Sequence, residues 1–436
     1  MKVAILIQSV RPGGAERQAF ETATELQILG VDVEVIGLSE PNFLTRKRGD
    51  FGDEYGSVSS STLAPARFYL MLRAAGLLRR LFQLLFASRN RGLVSDEGSK
   101  SQPRGRKSPV GALAKLIARS DDFGVLTDSA VATVFLKSPR VIMETRFLKA
   151  YFQKNPPDLI LSYLTGPNFV AILTGQVMGI PVVISERNDL TAHGSSADVE
   201  TLRKILYPVA NLITANTEFA TRDLKKMFGE NDVRWFPNHS TYRTAIKVMD
   251  RKSGRNVCMI CRLVPQKRVS SVVEAMATGA PGALNLELFV FGSGRERTAL
   301  HELAKRLKIA HRVQFLGYQK LVNIASQLDG VGFIVINSAH EGSSNSLHEA
   351  VELGLLPIVS STVREIEDIF SPELASRLVT DGSAESIALV LGELLTSDEH
   401  YMDTLKIANR DFSNYWERAS LYRRQIVDLL IQKNPH

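Results

Sequence analysis

Short apolar runs alternate with helical stretches along most of the chain, and this alternation constrains the fold more than any other feature. Apolar residues at helical spacing occur between the runs, as at Ala19, Ala23 and Leu26, and Gly30 suits the end of that helix. Strands that alternate with helices build parallel sheets covered by helices on both faces. The sequence therefore predicts an α/β fold. The runs that we interpret as buried strands are 2–7, 32–37, 158–162, 181–185, 210–214, 256–262, 286–291, 312–316, 331–336 and 356–360.

The alternating pattern occurs twice, which predicts two Rossmann-like domains. A chain of 436 residues with 44% hydrophobic residues is long enough to bury two such cores. A polar stretch separates the two sets of strands, and we place the linker there. The predicted divisions are an amino-terminal domain over 1–238, a linker over 239–255, a carboxy-terminal domain over 256–413 and closing helices over 414–436.

The beginning of the chain has the pattern of a buried strand and not that of a signal peptide. Its apolar run over 2–7 is shorter than a signal core and leads soon into the polar turn at Gly13 and Gly14. No run in the sequence approaches the roughly 18 apolar residues of a membrane-spanning helix. We therefore expect a cytoplasmic protein.

The two cysteines, Cys258 and Cys261, form a Cys-Met-Ile-Cys sequence that superficially resembles a redox pair. Both fall in the predicted strand 256–262, where an odd spacing places two side chains on opposite faces. Two cysteines do not build a disulfide framework, so we assign both thiols to the core of a cytosolic protein.

Positive charge is concentrated in one part of the chain. The net charge is +7, and residues 61–120 alone contain twelve basic and two acidic residues. Within the irregular segment 61–125, the stretch 67–86 has the pattern of a basic amphipathic helix, and 89–111 that of a loop. The helix either lies on a membrane surface or packs its apolar face on its own domain. The charge excess favours the first alternative, so we predict that 66–119 contacts an anionic membrane surface.

Two carboxylates stand eight positions apart in the sequence Glu-Gly-Ser-Ser-Asn-Ser-Leu-His-Glu, which runs from Glu341 to Glu349. The predicted strand 331–336 comes shortly before, and a helix is expected to begin near Ser344. Amides at the start of a helix lack intrahelical partners and attract anions. The amides of 345–347 are therefore expected to be free to receive a phosphate group.

Two cations and four glycines also follow predicted strands. Arg262 and Lys267 come after the strand at 256–262, and paired cations at the carboxyl edge of a parallel sheet suit a diphosphate. Gly13 and Gly14 follow the first strand, and a Gly-Ser-Gly sequence begins after the strand at 286–291. Glycines at such places let the backbone approach a ligand closely. The dinucleotide fingerprint G-x-G-x-x-G is missing, so that class of site is not indicated.

In this order, the motifs resemble family 4 of the retaining glycosyltransferases, which have the GT-B fold of two Rossmann-like domains with parallel sheets facing across a cleft. The resemblance covers most of the chain. The sequence departs from the family at Ser344, where relatives commonly have proline, and at 361–365, which lacks the usual glycine-rich turn. The regions of best match are 1–37, 156–238 and 256–395. The matching elements are 13–17, the Arg262 and Lys267 pair, 292–296, 313–318 and the motif from Glu341 to Glu349.

The resemblance implies a role for each matched residue. Arg262 and Lys267 would bind the donor diphosphate and neutralise its charge as it leaves, and Glu341 would hold hydroxyls of the sugar. These three are the predicted catalytic residues. Glu349 would hydrogen-bond the ribose, and the backbone near Tyr318 would meet the base. The predicted donor-binding residues are Gly13, Gly14, Gly292, Tyr318, Gly342, Asn345, Ser346, Leu347 and Glu349.

The resemblance also implies that no metal and no other cofactor is needed, because cations and a helix dipole take the place of a metal ion. His348 is expected on the helix surface or in the lining of the donor site. On the acceptor side, Glu186, Arg187 and Asn188 follow the strand at 181–185. Many relatives have a histidine here, and the present form resembles bacterial enzymes that extend polyprenyl-diphosphate-linked sugars or surface polysaccharides. These residues either contact the acceptor or form an ion pair at the strand end.

Together these features predict a retaining glycosyltransferase that moves a hexosyl or N-acetylhexosaminyl group from a nucleotide sugar, with UDP favoured, to a lipid-linked or polysaccharide acceptor. The acceptor would attack the same face that the diphosphate leaves, through an oxocarbenium-like state. Closure of the two domains would exclude water. We expect such an enzyme to lie peripherally on the inner face of the cytoplasmic membrane.

Two other hypotheses stay open. The same fold could use a soluble small-molecule or sugar acceptor. From another class, the protein could be a non-catalytic scaffold that binds anions or nucleic acid, which the basic stretch 100–107 favours. That stretch lacks interleaved aromatic residues, and no nucleic-acid-binding motif occurs, so a nucleic-acid partner is not predicted.

Overall fold

The computed structural model describes residues 1–9, 13–38, 45–46, 130, 133–134, 137–190, 196–229, 233–238, 254–278 and 286–432. The predicted amphipathic helix and loop within 61–125 lie outside these residues. Residues 239–253 of the predicted linker also lie outside them.

The first sheet is built from the amino-terminal part of the chain. Its strands are β1 (Lys2–Ile7), β2 (Asp32–Gly37), β3 (Thr45–Arg46), β4 (Leu159–Tyr163), β5 (Val182–Glu186), β6 (Leu212–Ala215) and β7 (Val233–Trp235). They lie in the order β3-β2-β1-β4-β5-β6-β7. All neighbours pair in parallel except β2 and β3, which are antiparallel. The strand order reverses its direction of growth between β1 and β4, as in a doubly wound sheet.

The second sheet is parallel throughout. Its strands are β8 (Asn256–Ile260), β9 (Leu288–Phe291), β10 (Val313–Gly317), β11 (Val331–Ile336), β12 (Leu356–Ser360) and β13 (Val379–Thr380). They lie in the order β10-β9-β8-β11-β12-β13, so this sheet also changes direction next to its first strand. Strands such as β11 and β12 are buried along their whole length because helices cover both faces.

The helices of the described residues lie between and after these strands. They are α1 (Gly14–Ile28), α2 (Pro139–Phe152), α3 (Thr165–Met178), α4 (Ala197–Leu206), α5 (Glu218–Phe228), α6 (Val269–Ala275), α7 (Arg297–Arg306), α8 (Leu321–Ala325), α9 (Asn345–Glu352), α10 (Ile366–Ile369), α11 (Pro372–Leu378), α12 (Ala384–Leu394) and α13 (Asp398–Ile431). Within the described ranges, none of them combines the length and apolar character that a membrane crossing requires.

The ten predicted strands are confirmed, with ends that differ by at most two residues. The strands β3, β7 and β13 were not predicted, because two or three residues are too few to show an apolar run. The closing segment, for which the sequence predicts one or two helices from about Asn414, begins earlier than predicted. A single helix, α13, already begins at Asp398. The Ser397 hydroxyl accepts a hydrogen bond from the amide of His400 and so caps the start of this helix.

The helix α13 belongs to both domains. Along its first part, Tyr401 and Trp416 pack in the core of the second sheet. Near its end, Ile426 and Leu430 pack in the core on one face of the first sheet, together with residues of α1 and β1. The chain therefore crosses back to the first domain after completing the second. It ties the two sheets together through apolar burial.

Ion pairs join the domains at the side of α5 and α10. Asp368 in α10 accepts a hydrogen bond of 2.9 Å from Arg222 Nη2 and another of 2.9 Å from the amide of Phe219. Arg364 Nη1 donates to Asp223 Oδ2 over 2.8 Å, with its guanidinium 4.4 Å from the ring centroid of Phe219. Burial of the Asp368 carboxylate outweighs its partners and raises its pKa to about 6.

This pKa makes the stability of the protein depend on pH through Asp368. Between the unfolded pKa of about 3.9 and the folded pKa, the native state binds more protons, so stability falls as pH rises. We expect Asp368→Asn, which keeps an acceptor for the Phe219 amide, to remove this dependence. Urea unfolding should show the wild-type losing on the order of 2–3 kcal/mol relative to the variant between pH 4 and pH 7. A difference that stays constant with pH would contradict this expectation.

Candidate functional site

A cavity of about 320 Å³ lies at the carboxyl edge of the second sheet. We call it the donor cavity, after the role that the sequence predicts for its residues. Parallel strands end at the same edge, so residues that follow different strands meet there. Arg262 follows β8, Gly292 follows β9 and Tyr318 follows β10, and all three line the cavity. Gly292 has a φ of +144°, and a Cβ atom at this position would lie 1.8 Å from the carbonyl oxygen of Cys261. Only glycine therefore fits this turn.

The first turn of α9 forms one wall of the donor cavity. The amide of Ser344 donates to Glu365 Oε2 over 2.7 Å, and the amide of Leu347 donates to the carbonyl of Ser344 over 2.9 Å. The amides of Asn345 and Ser346 make no hydrogen bond within the described part of the chain. The expectation of three free amides is thus wrong for Leu347, because this turn closes tightly on Ser344 and the Leu347 side chain is buried in the core.

The predicted catalytic residues meet at the other side of that turn. Lys267 Nζ donates to Glu341 Oε1, which also accepts a 2.6 Å hydrogen bond from the Ser338 hydroxyl. Both members of the ion pair are mostly buried, with side chains 15% and 13% exposed. Arg262 lines the same cavity and has no ion-pair partner among the residues that the structure describes. The site therefore holds one cation in an ion pair and a second, Arg262, which interacts electrostatically with Glu16 without forming an ion pair.

The first domain closes the donor cavity from the opposite side. Gly13 and Gly14 line it, and a Cβ atom on Gly14 would lie 3.2 Å from the side-chain amide of Asn345. One turn further along α1, Arg17 Nη1 donates to Glu349 Oε1 over 2.7 Å. The structure thus brings together the glycine turn of the first domain and the helix α9 of the second, although more than 300 residues separate them in sequence.

A second cavity, of about 370 Å³, adjoins the donor cavity between the domains, and we call it the interdomain cavity. It shares Arg262, Glu341 and both glycines of the first turn with the donor cavity. The side chains that line it are predominantly polar. The members from the first domain that follow its strands are Arg187, Asn188, Asp189, Asn216 and Asn238.

The three residues predicted on the acceptor side occupy different places. Arg187 and Asn188 line the interdomain cavity, but Glu186 does not. Glu186 is fully buried and accepts hydrogen bonds of 2.6 Å from the Tyr207 hydroxyl and 3.0 Å from the Thr165 hydroxyl. Glu186 thus contacts other side chains of the first domain. This agrees with the second alternative, in which the residue forms a pair at the strand end and does not contact the acceptor.

The guanidinium of Arg187 is buried beneath the cavity, 4.4 Å from the ring centroid of Tyr163. Burial lowers the pKa of Arg187 to about 10. Its Nη1 donates to Asn238 Oδ1 over 2.7 Å, and Asn238 Nδ2 donates over 3.1 Å to both Ser343 Oγ and Asn345 Oδ1. A chain of hydrogen bonds therefore connects the first domain to the start of α9.

Sequence patterns missed several members of the site, among them Asn216, Asn238 and Glu365. Asn216 and Asn238 follow β6 and β7, so their position after a parallel strand was the available signal. Glu365 also follows a parallel strand, β12, but it acts from behind α9 and lines neither cavity. Its carboxylate accepts hydrogen bonds from Ser343 Oγ and the Ser344 amide and lies 2.9 Å from His348 Nε2.

The position of His348 differs from the expectation of a surface or cavity-lining residue. Its ring is buried against aromatic side chains of α13, including Phe412, Tyr415 and Trp416. Burial acts to lower the pKa of His348, but the adjacent carboxylate of Glu365, together with those of Glu352 and Glu349, outweighs burial and raises it. The reason for the difference is that α13 covers the face of α9 that the sequence pattern left unassigned.

The second domain matches a family of known proteins. Residues 246–411 match the family described as Glycosyl transferases group 1. This match confirms the resemblance on which the site residues were predicted.

Similarity to individual relatives is limited to part of the chain. It is 28% identical over 134 residues to the 2-deoxystreptamine N-acetyl-D-glucosaminyltransferase of Streptomyces fradiae, which is 31% of each chain. It is 32% identical over 138 residues to the lipopolysaccharide core biosynthesis glycosyltransferase LpsE of Rhizobium meliloti, which is 31% of this chain and 38% of LpsE. The chain thus matches about a third of the length of these curated relatives.

The likeness in fold extends over the whole chain. The crystal structure of Anabaena HepE in complex with UDP matches with a TM-score of 0.58, and the match covers 99% of both chains at 16% identity. Together with the two sheets described above, this confirms the predicted GT-B fold.

The contact between Gly342 and the first domain gives a test of the site geometry. A Cβ atom on Gly342 would lie 1.9 Å from the carbonyl oxygen of Arg187, so Gly342→Ala must separate backbones that touch across the cleft. We expect it to reduce the free energy of unfolding by about 1–3 kcal/mol, measured by urea denaturation. The control is Gly14→Ala, whose Cβ would meet only the movable Asn345 side chain. Equal losses in the two variants would contradict the described contact.

Proposed function

We propose that the protein is a retaining glycosyltransferase that transfers a sugar from a nucleoside diphosphate sugar. The observation that carries the proposal is the convergence of Arg262, Lys267 and the two available amides of Asn345 and Ser346 in one cavity. Two cations and a helix start form a site for a diphosphate. The family of the second domain supports a glycosyl group as the part that is transferred.

The carboxylates of the donor cavity fit the rest of such a donor. Glu349 would accept ribose hydroxyls, and Glu341 would hold hydroxyls of the sugar. UDP is the favoured nucleotide because HepE, which shares the fold, was solved with UDP bound. The transferred group would be a hexosyl or an N-acetylhexosaminyl residue, and the name of the Streptomyces fradiae relative supports the second.

The proposed reaction breaks the bond between the anomeric carbon and the diphosphate and forms a bond from the acceptor oxygen on the same face. Charge develops on the leaving diphosphate and, through an oxocarbenium-like state, on the sugar. Arg262, Lys267 and the start of α9 would stabilise the leaving group in place of a metal ion. The arriving diphosphate would compete with Glu341 for Lys267. The acceptor proton would pass to an oxygen of the leaving phosphate.

The interdomain cavity would receive the acceptor. Its polar lining suits hydroxyl-bearing sugars. We propose a lipid-linked or polysaccharide acceptor at the cytoplasmic face of a membrane, which the similarity to LpsE and the basic segment 66–119 support. A soluble acceptor is the second candidate, because another relative is named for 2-deoxystreptamine.

A transfer assay tests the reaction. Purified protein is incubated with a panel of nucleotide sugars and a bacterial lipid extract, and the released nucleoside diphosphate is measured. We expect release with one donor, dependent on the extract, because the acceptor would be lipid-linked. Lys267→Ala and Glu341→Ala should each reduce the rate by roughly 10²- to 10³-fold, since each removes charge or orientation from the transition state.

The matched control is the ion pair between Lys305 and Glu302, which lies on the surface of α7 and lines neither cavity. Lys305→Ala and Glu302→Ala should leave the rate unchanged. Release that persists in the Lys267 and Glu341 variants would refute their assigned roles. Release without the extract but with added 2-deoxystreptamine or a free sugar would favour the soluble acceptor.

Vesicle sedimentation tests the membrane partner. We expect binding to vesicles with anionic lipid at low salt and loss of binding at about 0.5 M salt. Salt screens the attraction between charges, and the screening length is already only about 10 Å at roughly 0.1 M. Replacing Arg104, Arg106 and Lys107 with alanine should weaken binding by about 100-fold, because each cation near such a surface contributes about 1 kcal/mol.

The control for this test removes three exposed cations elsewhere, and these are Lys305, Arg377 and Lys406. Because they lie outside 66–119, their replacement should have little effect. Equal weakening by both triple variants, or no binding to anionic vesicles at low salt, would overturn the membrane assignment.

A further inference from the structure

The donor cavity contains an ion pair that crosses from one domain to the other. Arg17, in the first turn of α1, donates from Nη1 to Glu349 Oε1 over 2.7 Å and from Nε to Glu21 Oε1 over 2.9 Å. Arg17 and Glu349 both line the donor cavity. Their side chains are 23% and 12% exposed, so the pair lies well inside the cleft.

The guanidinium is held at two points. Glu21 lies one turn along the same helix, so the bond from Nε fixes the guanidinium plane relative to α1. The bond from Nη1 then fixes one oxygen of the Glu349 carboxylate. Burial acts to lower the pKa of Arg17, but Glu349 and Glu21 together outweigh it and raise the pKa. Arg17 therefore stays charged, and a charged planar donor orients a carboxylate more strictly than a neutral one.

The second oxygen of the carboxylate is available. Glu349 Oε2 makes no hydrogen bond among the residues that the structure describes. With Oε1 held by the first domain, Oε2 is the atom that can accept hydroxyls from a ligand in the donor cavity. A carboxylate that uses one oxygen for orientation and the other for recognition is prepared for its ligand before binding.

We propose that the ribose of the donor nucleotide is recognised by a subsite that both domains build, in which Arg17 is the positioning residue for Glu349. This inference rests on the proposed function, because it requires a nucleotide in the donor cavity. It adds that the second domain alone holds an incomplete ribose site. Full recognition of the nucleotide then requires that the two domains are in contact.

The alternative is that Arg17 only ties the domains together. The pair Arg222 and Asp368 also joins the domains, over 2.9 Å, but neither residue lines the donor cavity. Arg222→Met is therefore a matched control for Arg17→Met. Each removes one interdomain ion pair, and only one of them touches the predicted ribose contact.

Calorimetry on the full chain compares nucleotides that differ by one hydroxyl. The nucleoside diphosphate is first chosen from ADP, GDP and UDP, and its 2′-deoxy and 3′-deoxy forms are then titrated. We expect wild-type protein to bind the ribonucleotide about 10- to 100-fold more tightly than at least one deoxy form, which is the effect of losing a hydrogen bond to a charged group. In Arg17→Met and in Glu349→Gln this ratio should fall to within about threefold.

Further variants separate the outcomes. Arg222→Met should keep the wild-type ratio, and the double variant Arg17→Met with Glu349→Gln should lose no more than either single one, because both act on one contact. Arg17→Lys, which keeps the charge without the planar fork, should give an intermediate ratio and serves if the methionine variant does not fold.

A wild-type ratio that persists in Arg17→Met and in Arg17→Lys would overturn the inference and leave Arg17 as a tie between domains. A ratio that persists in Glu349→Gln would overturn it as well, because Glu349 would then not meet the ribose. Failure of the wild-type protein to bind any nucleoside diphosphate would instead refute the proposed function, and the two failures are thus distinguishable.

Discussion

The structure depends on the course of the helix α13, which ends in a different domain from the one where it begins. Its 34 residues span about 51 Å, enough to reach from the core of the second sheet to that of the first. Near its end, Arg423 donates to Glu25 of α1 over 2.7 Å and to the carbonyl of Pro237 over 2.8 Å. Because these contacts involve both the first helix and the segment that leaves the first sheet, the helix fixes how the two sheets face each other.

Once the sheets face each other, the chemistry of the cleft follows from the edges that meet. Each buried carboxylate of the donor cavity is paired with a cation, Glu341 with Lys267 and Glu349 with Arg17. Such buried pairs contribute little to stability on balance, because desolvation offsets their attraction. Their effect lies in geometry, since a carboxylate that is paired with a fixed cation keeps one orientation. The pair of Glu341 with Lys267 is formed within the second domain, whereas Glu349 has its cation only because Arg17 comes from the first domain.

Much of this architecture could be predicted from the sequence, for physical reasons that also mark the limit. Continuous apolar runs such as Val331–Ile336 identify buried parallel strands, and the carboxyl ends of parallel strands must share an edge, so Arg262 and Glu341 could be placed together in advance. The periodicity of apolar residues does not predict pairings such as Arg17 with Glu349, or Glu365 with the start of α9. They depend on which helices face each other, and this is decided by distant packing such as that of α13.

The start of α9 shows how these pairings shape the function. Glu365 already accepts the amide of Ser344, so a carboxylate occupies part of the positive end of the helix and stabilises it. The same negative charge opposes the approach of a phosphate to the remaining two amides. A helix start alone would therefore be a weak anion site here, and under the proposed function the two cations, Arg262 and Lys267, would be needed to bind a diphosphate. Glu365 holds the turn in shape, Asn238 connects that turn to the first domain, and the cations supply the attraction.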